Sequence, residues 1–408
     1  MNILIISYNY FPYNTPAVYR IHSFAKALQE SGHKVHILSS KTYRAPEDQY
    51  TYKKFQLNVK TTSTPSAELT RPVATGENPS ILRRLLNKIA SIVDSRLMPI
   101  DSSFLWFFVG LFNARKIISS ESIDLVLVSS PPHSSQLIGF ILKKLYGIKL
   151  ICDFRDSWTH NPSLFEAGKS PSRTARIGET AILNCADHIV ANTPTNKSYL
   201  EQDFTFCDGK VSVILNGYIS SDAIVKVEKT SDRSDAKFRL VYTGELYPGY
   251  SAKIFTALKK LKDKYPDLAN NFIFEMAGVL AQTDLDLAKK LDVEDLFTFH
   301  GFVSYEKSIE LAKKSTAMLL VMPESHRNVV GSKLYFYLGQ RKNVLGIIPE
   351  GDAADIIRNV NAGVVIAPDD VDGIAKQLET WIFDRESIAI EYNEEQWKTY
   401  SREYQATK

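Results

Sequence analysis

Strand and helix signals alternate along nearly the whole chain, and this alternation constrains the fold more than any other feature of the sequence. Short apolar runs such as Ile3–Ser7 and Leu125–Ser129 are typical of strands buried on both faces. Segments with helical apolar spacing follow them, as in Val18–Glu30 and Gln136–Tyr146. The pattern therefore predicts βαβ units on parallel sheets.

The alternation is interrupted once. Residues 220–237 are polar and charged with little periodicity, and a second alternating series begins at Arg239. A chain of 408 residues is long enough for two cores. We therefore predict an α/β protein with two doubly wound, Rossmann-like domains that face each other across a cleft.

The predicted boundaries follow from these composition changes. They are an N-terminal domain over residues 1–218, a linker over 219–237 and a C-terminal domain over 238–386. Residues 387–408 are predicted to be helical and to pack back on the first domain.

Composition excludes several classes of protein. Lys and Arg number 49 and Asp and Glu 46, which leaves a net charge of +3, so we expect no nucleic-acid partner. The three cysteines, Cys152, Cys185 and Cys207, have no CxxC spacing, which argues against disulfides and structural zinc. Met1 leads directly into an apolar strand without a basic leader, and the longest apolar stretch, Phe104–Phe112, is about half of a membrane span. We expect a cytoplasmic protein.

Candidate site residues lie just after the strands, because ligands of doubly wound sheets bind at the carboxyl ends of the strands. The first such loop contains Asn14 and Thr15 and leads into a helix that carries Arg20. A helix N-terminus suits an anion or sugar hydroxyls, although the same residues also suit an ordinary connecting loop. The next loop contains His133, which could transfer protons, hydrogen-bond a substrate or merely cap a helix.

The third loop concentrates charge at a strand end. It reads Asp153-Phe154-Arg155-Asp156-Ser157-Trp158. Charged groups in such a place must be paired or face a site. We expect Arg155 to be functional and Asp153 to be structural.

The segment Pro323–Gln340 holds the strongest candidate of the second domain. A strand leads to Gly331, after which Ser332 is predicted to cap a helix that carries Lys333. Glycine permits close backbone approach, and the helix start and the lysine ammonium both favour a diphosphate. The alternative is a capped helix without a ligand.

Residues 81–97 form a basic amphipathic pattern. Ile, Leu and Val side chains share one helical face, while Arg83, Arg84, Lys88 and Arg96 lie on the other. Such a helix could lie on an anionic membrane surface or pack on its own domain.

Taken in order, these pieces resemble the retaining family-four glycosyltransferases, which have the GT-B fold. The resemblance covers nearly the whole chain. It rests on Phe11-Pro12, Ser31-Gly32-His33, Ser129-Ser130-Pro131-Pro132, Asp153-Phe154-Arg155-Asp156-Ser157-Trp158, Leu215-Asn216-Gly217, Tyr242-Thr243-Gly244, Ser332-Lys333-Leu334 and Tyr400-Ser401-Arg402-Glu403.

The resemblance implies that a sugar moves from a nucleoside diphosphate donor, for which we expect a UDP-sugar, to a glycan or lipid-linked acceptor. It further implies retention at the anomeric carbon, no metal and no separate cofactor. The leaving diphosphate would assist the acceptor hydroxyl, while the protein positions both substrates.

The site residues that we infer fall into three groups. The catalytic candidates are Arg155, Asp156 and His133. The donor-binding candidates are Gly244, Phe302, Asn328, Gly331, Ser332 and Lys333, and the acceptor-side candidates are Asn14, Thr15 and Arg20.

The chain departs from the family pattern at the donor site. Many relatives carry glutamates where Asn328 and Phe336 stand. Many also carry an arginine and a lysine shortly after the first strand of the second domain, where this chain has Glu245 after Gly244 and Tyr250 near the expected lysine. The positive charge near the diphosphate would then come from Arg155, Lys333 and Arg20.

The leading hypothesis is a glycosyltransferase of surface polysaccharide biosynthesis that is peripheral on the inner face of the membrane. One alternative is a GT-B-fold partner or scaffold protein without activity. Another is a sugar-nucleotide epimerase that uses carboxylates such as Asp153, Asp156 and Glu324.

Overall fold

The computed structural model describes residues 1–13, 15–41, 55, 57–66, 101, 103–162, 168, 170–220, 237–246, 249–388 and 391–408. The chain forms two compact units, one of residues 1–216 with 406–408 and the other of residues 217–405. Asn14, the amphipathic segment 81–97 and most of the predicted linker lie outside the described residues.

Among the described residues of the first unit, seven strands form one parallel sheet in the order β3-β2-β1-β4-β5-β6-β7. Neighbouring strands are in register, with Ile5 opposite both Ile37 and Leu127. The strands are β1 (Asn2–Ser7), β2 (Lys34–Lys41), β3 (Lys60–Pro65), β4 (Leu125–Ser130), β5 (Lys149–Phe154), β6 (His188–Ala191) and β7 (Val211–Val213).

Helices pack on both faces of this sheet. They are α1 (Pro16–Glu30), α2 (Trp106–Glu121), α3 (Ser134–Tyr146), α4 (Arg173–Cys185) and α5 (Pro194–Asp203). Alternate residues of β1 serve the two faces: Leu4 and Ile6 join one core, while Ile3 and Ile5 join the other. This two-sided burial explains why the strand reads as a continuous apolar run.

The second unit repeats the architecture. Its described strands form a six-stranded parallel sheet in the order β10-β9-β8-β11-β12-β13. They are β8 (Phe238–Glu245), β9 (Phe272–Val279), β10 (Phe297–Phe299), β11 (Ala317–Val321), β12 (Asn343–Ile347) and β13 (Gly363–Ile366).

The helices of the second unit are α6 (Tyr250–Lys264), α7 (Gln282–Lys290), α8 (Tyr305–Lys314), α9 (Ser332–Gly339), α10 (Asp352–Val360), α11 (Val371–Phe383), α12 (Glu394–Thr399) and α13 (Arg402–Ala406). Short 3-10 turns lie at Thr205–Cys207, Leu268–Asn270, Glu294–Leu296, Glu324–His326 and Glu386–Ile388. Phe238, Leu240 and Tyr242 of β8 lie in its main core with Trp381.

The structure confirms the two-sheet α/β prediction and corrects several elements. The single helix predicted for residues 387–408 is instead a 3-10 turn followed by α12 and α13, with residues 389 and 390 outside the described part. The sequence analysis also missed α2, α5, α7, α11 and β3. The cysteines form no disulfide, and Cys152 and Cys207 are buried.

No helix in the described ranges is both long enough and apolar enough to cross a membrane.

A buried ion pair joins four parts of the first unit. Arg20 of α1 is 2% exposed, and its guanidinium lies 2.6 Å from the carboxylate of Asp153 at the end of β5. Ser129 of β4 donates a hydrogen bond of 2.7 Å to the same carboxylate. Arg20 also donates to the carbonyl oxygens of Ile214 and Leu215, after β7, at 2.8 and 3.1 Å. The pair therefore fixes the carboxyl ends of β4 and β5 relative to α1.

Replacing Arg20 by methionine should lower the free energy of unfolding of the first unit by about 3–5 kcal/mol, because the Asp153 carboxylate stays buried without its cation. Urea unfolding followed by circular dichroism measures this change. The control is Arg176→Met, whose partner Asp203 lies 3.8 Å away at the surface, and whose loss should cost less than about 1 kcal/mol. Equal effects of the two substitutions would contradict the assigned role of Arg20.

Candidate functional site

In the first unit, the loops that follow β4 and β5 meet at the carboxyl edge of the sheet. The two strands are neighbours, with Ser130 opposite Phe154 at their ends. The backbone N–H of Arg155 donates to the carbonyl of Ser130 at 2.9 Å, and its guanidinium donates to the carbonyl of Pro131 at 2.8 Å. Arg155 thus lies against the turn that carries His133.

Several buried polar atoms in this region have no hydrogen-bond partner within the part of the chain that the structure describes. They are His133 Nδ1, Ser135 Oγ, Gln136 Oε1 and Arg155 Nε. An unpaired buried polar atom costs about 1–3 kcal/mol, so a fold retains several together only where something compensates. The set offers both donors and acceptors, which suits the hydroxyl groups of a ligand.

His133 is held as a neutral ring. It is buried, and its imidazole stacks on the indole of Trp158 with centroids 4.9 Å apart and planes within 1°. Burial, reinforced by the positive charge of Arg155, lowers the pKa of His133 to about 3. A ring with so low a pKa is a weak proton acceptor near neutral pH, which favours hydrogen bonding by the neutral ring over the predicted proton transfer.

The N-terminus of α3 is already occupied by a protein carboxylate. Asp101 accepts hydrogen bonds from the backbone N–H and the hydroxyl of Ser134 at 2.7 and 2.8 Å. Burial raises the pKa of Asp101, while these hydrogen bonds oppose the rise. The N-terminus of α3 is consequently not a binding site for a ligand anion.

Asp156 lies beside Arg155 and is solvent-exposed by area. The protein around it nevertheless displaces enough water for desolvation to raise the pKa of its carboxyl, and the charge of Arg155 opposes that rise. Burial also lowers the pKa of Arg155, which still leaves a guanidinium charged at neutral pH. The loop therefore presents a cation and a perturbed carboxyl side by side.

Two asparagines that the sequence analysis missed support this loop. Asn192 donates to the carbonyl of Arg155 and accepts from Asn196 at 2.6 Å. Asn196 in turn accepts from the hydroxyl of Ser157. Their positions just after β6 were the available signal, because the carboxyl end of that strand lies next to β5.

The acceptor-side candidates do not assemble as predicted. Arg20 is buried and its guanidinium is bonded to Asp153 and to backbone carbonyls, so it has a structural role and is not available to a substrate. Thr15 is the residue before α1, and its hydroxyl makes no capping bond. Asn14 is outside the described residues.

In the second unit, Gly244 and Lys333 are in close contact. Gly244 is the last but one residue of β8 and has φ of +108°, and a Cβ at this position would lie 2.7 Å from Cε and 2.9 Å from Nζ of Lys333. The ammonium of Lys333 donates to the hydroxyl of Tyr242 at 2.6 Å and lies 4.4 Å from the centre of its ring. A side chain at position 244 would displace Lys333, so the observed position of the Lys333 ammonium requires glycine there.

The start of α9 differs from the prediction. Ser332 is the first helical residue rather than the cap, and Gly331 is the cap, with no side-chain hydrogen bond to the first turn. Open space adjoins the cap, since a Cβ on Gly331 would meet no atom within 4 Å. An uncapped helix start beside a lysine ammonium is an arrangement that favours an anion.

The other donor-side candidates lie near the same edge of the sheet. Asn328, in the chain segment that connects β11 to α9, is buried. Phe302, which follows β10 in the chain, is 90% exposed. Phe336 of α9 is half-buried, with its ring 6.1 Å from that of Tyr305. No group of three or more His, Cys, Asp or Glu side chains in the described ranges is placed to hold a metal ion.

Family models match both halves of the chain. The model described as Glycosyltransferase Family 4 matches residues 17–220, and the model described as Glycosyl transferases group 1 matches residues 226–403.

Comparison with curated proteins gives distant relatives. The D-inositol 3-phosphate glycosyltransferase of Streptomyces griseus is 24% identical over 224 residues, which are 48% of this chain and 47% of that protein. The chain thus spans about half the length of the curated relatives that it matches.

Solved structures share the fold over its full extent. Sucrose-phosphate synthase from Thermosynechococcus elongatus matches with a TM-score of 0.66 at 12% identity, covering 100% of this chain and 96% of that one. Anabaena HepE, in complex with UDP-glucose, matches with a TM-score of 0.57 at 14% identity, covering 100% and 93%. At these identities the likeness establishes the GT-B type of fold.

The low pKa of His133 predicts how stability depends on pH. An unfolded histidine titrates near 6.5, so protons favour the unfolded chain below that pH. The buried neutral ring contributes fully to the free energy of unfolding above about pH 6.5, and this contribution is lost as the pH falls toward 3. The loss amounts to about 2–3 kcal/mol near pH 4.5. The variant His133→Asn should therefore lose less free energy of unfolding than the wild type between about pH 7 and about pH 4.5.

The matched control is His33→Asn, at a partly exposed position just before β2 of the same unit, which should leave the contribution of His133 unchanged. Urea unfolding at a series of pH values measures both variants. An unchanged pH dependence in His133→Asn would show that His133 is not held neutral.

Proposed function

Because the chain belongs to glycosyltransferase family 4, we propose that it transfers a sugar from a UDP-sugar to a hydroxyl of a glycan or lipid-linked acceptor, with retention and without a metal. The reaction breaks the bond between the anomeric carbon and the diphosphate oxygen and forms a bond from that carbon to the acceptor oxygen. The acceptor proton passes to the leaving diphosphate. The protein then has to bind both substrates and stabilise the leaving charge.

The observation that carries the proposal is the contact of Gly244 with Lys333 at the start of α9. The ammonium of Lys333 and the uncapped helix start supply two sources of positive potential at one edge of the sheet. Both are suited to a diphosphate, the helix start through its N–H groups and dipole and the lysine through its full charge. Tyr242 fixes the lysine by hydrogen bond and ring contact.

The choice of uridine has separate support. The structural neighbour HepE binds UDP-glucose with the same fold. In this chain the exposed ring of Phe302 follows β10 at the edge of the sheet that carries Gly244, and we propose that it stacks on the base.

We assign sugar and acceptor contacts to the first unit. The unpaired atoms of His133, Gln136 and Arg155 supply donors and acceptors for hydroxyl groups. The guanidinium of Arg155 adds a positive charge to this set, to which Arg20 cannot contribute because it is buried against Asp153. Asp156, exposed beside Arg155, would accept a hydrogen bond from a substrate hydroxyl.

The biological setting in this proposal is surface polysaccharide or related glycan synthesis by a cytoplasmic protein at the inner face of the membrane. It follows from the family and from a lipid-linked acceptor, which would place the reaction at a membrane surface.

A non-catalytic partner is the competing function, and one observation favours it. Phe336 and Asn328 stand where many family members carry glutamates, and a phenyl ring cannot accept hydrogen bonds from ribose. This function predicts that the purified chain binds no nucleotide but is retained by an active glycosyltransferase.

Thermal shift with UDP, GDP, CDP and UDP-sugars, each with magnesium or with a chelator, separates the two functions. We expect stabilisation by uridine nucleotides that is equal in both conditions, since a ligand at 100 times its Kd adds about 2.7 kcal/mol. Lys333→Ala should weaken UDP binding about tenfold or more, through loss of a charge-assisted contact to phosphate. Lys290→Ala, at an exposed position on α7, is the control. Failure of every nucleotide to shift the melting temperature would favour the non-catalytic function.

A methyl group at Gly244 tests the geometry without removing charge. In Gly244→Ala, the new Cβ should displace Lys333, and UDP affinity should fall about tenfold or more. Gly209→Ala is the matched control, since this glycine also has positive φ but a Cβ there meets no atom within 4 Å. Calorimetric titration with UDP measures both. Wild-type affinity in a folded Gly244→Ala variant would show that the place of Lys333 does not matter for binding.

A further inference from the structure

The first unit carries an exposed apolar surface on α2 and α3, away from the polar loops described above. On α2, Phe108 is 58% exposed and Phe112 is 60% exposed, and they lie one helical turn apart on the same face. The surface continues onto the end of α3, where Leu145 and Tyr146 are also exposed. We call this surface the aromatic–basic patch, which consists of Phe108, Phe112, Arg115, Lys116, Lys144, Leu145 and Tyr146.

The two helices form one continuous surface. They are packed so closely that a Cβ on Gly110 would lie 2.6 Å from Cδ1 of Ile138. Farther along, the guanidinium of Arg115 donates to the hydroxyl of Tyr146 at 3.2 Å. This packing fixes the two helix backbones relative to each other, and with them the positions from which the exposed side chains project.

Cations lie within the patch beside its exposed apolar side chains. Lys116 lies 4.2 Å from the ring centre of the exposed Phe112, and Lys144 is itself exposed at the end of α3, 5.8 Å from the half-buried ring of Phe140. The sequence holds no Asp or Glu in residues 103–120 or 134–150. The nearby Asp187 is already engaged, since it pairs with Lys143 and accepts from the backbone of Leu150.

We propose that the aromatic–basic patch docks the first unit on an anionic lipid surface. Phenyl rings gain free energy by leaving water for the acyl boundary, and lysine and arginine side chains reach from such a position to lipid phosphates. The combination of projecting phenylalanines with cations and no carboxylates fits this occupant through charge complementarity. The proposal adds a docking surface to the proposed function and does not depend on which donor is used.

Flotation or co-sedimentation with vesicles tests the proposal on the full chain. We expect binding to vesicles of phosphatidylcholine mixed with phosphatidylglycerol, weak binding to phosphatidylcholine alone, and loss of binding at high salt because the surface charges are screened. The double variant Phe108→Ser/Phe112→Ser should lower the partition coefficient about tenfold or more. The variant Arg115→Gln/Lys116→Gln should lower it for the anionic vesicles alone.

Two controls match these variants. Phe206→Ser removes another exposed phenylalanine of the same unit, one that also has a lysine over its ring, Lys210 at 5.4 Å. Lys289→Gln/Lys290→Gln removes two exposed cations from α7 of the second unit. Both controls should keep wild-type vesicle binding.

Three results would overturn the proposal. The first is that the wild type does not bind anionic vesicles. The second is that Phe108→Ser/Phe112→Ser binds them as the wild type does, which would move any membrane contact to another segment such as residues 81–97. The third is a wild-type dimer in light scattering that becomes monomeric in the same variant, which would identify the patch as a contact between copies of the chain.

UDP binding measured on the same variants separates this proposal from the proposed function. Vesicle binding requires no donor, and the patch contains none of the residues assigned to substrates. Normal UDP binding with no vesicle binding would overturn the docking surface alone, and the reverse would overturn the donor site alone.

Discussion

The buried ion pair of Arg20 with Asp153 is the interaction on which the site of the first unit depends. The carboxylate accepts from Arg20 and from Ser129, and the guanidinium continues to the carbonyls after β7. A charge at this depth is tolerated only with a complete set of partners. Since Asp153 is two residues before Arg155, the same pair that stabilises the sheet also fixes where the loop with the exposed Asp156 begins. The Asp153 carboxylate therefore serves both the stability of the sheet and the position of the candidate site.

Most of the fold could be predicted from the sequence because the strands are buried on both faces. Such strands read as short apolar runs, and β1 and β4 were predicted within about one residue of their observed bounds. Two of the missed elements lack an apolar pattern: β3 is the polar segment Lys60–Pro65, and α5 has almost no apolar face. The C-terminal segment was predicted as one helix, but Trp397 and Arg402 belong to two separate short helices.

The candidate site was only partly visible in the sequence. The structure places the loops of His133 and Arg155 directly after β4 and β5, as the strand pattern predicts, because topology alone determines that edge. Gly244 lies within β8, and Lys333 lies in the first turn of α9. Their states depended on packing that no pattern records: His133 is neutral because it is buried against Trp158, and Arg20 is unavailable because Asp153 binds it. The sequence predicted Ser332 as the N-cap of α9, whereas the observed N-cap is Gly331. The difference arises because only the backbone conformation shows where the helix begins.

A crystal structure of the chain with UDP, grown without divalent metal, would test the central claim most directly. The account predicts diphosphate oxygens within hydrogen-bond distance of Lys333 Nζ and of the first N–H groups of α9, with the uracil ring against Phe302. Nucleotide bound away from Gly244 and Lys333, or a nucleotide ordered only with a metal ion, would contradict it.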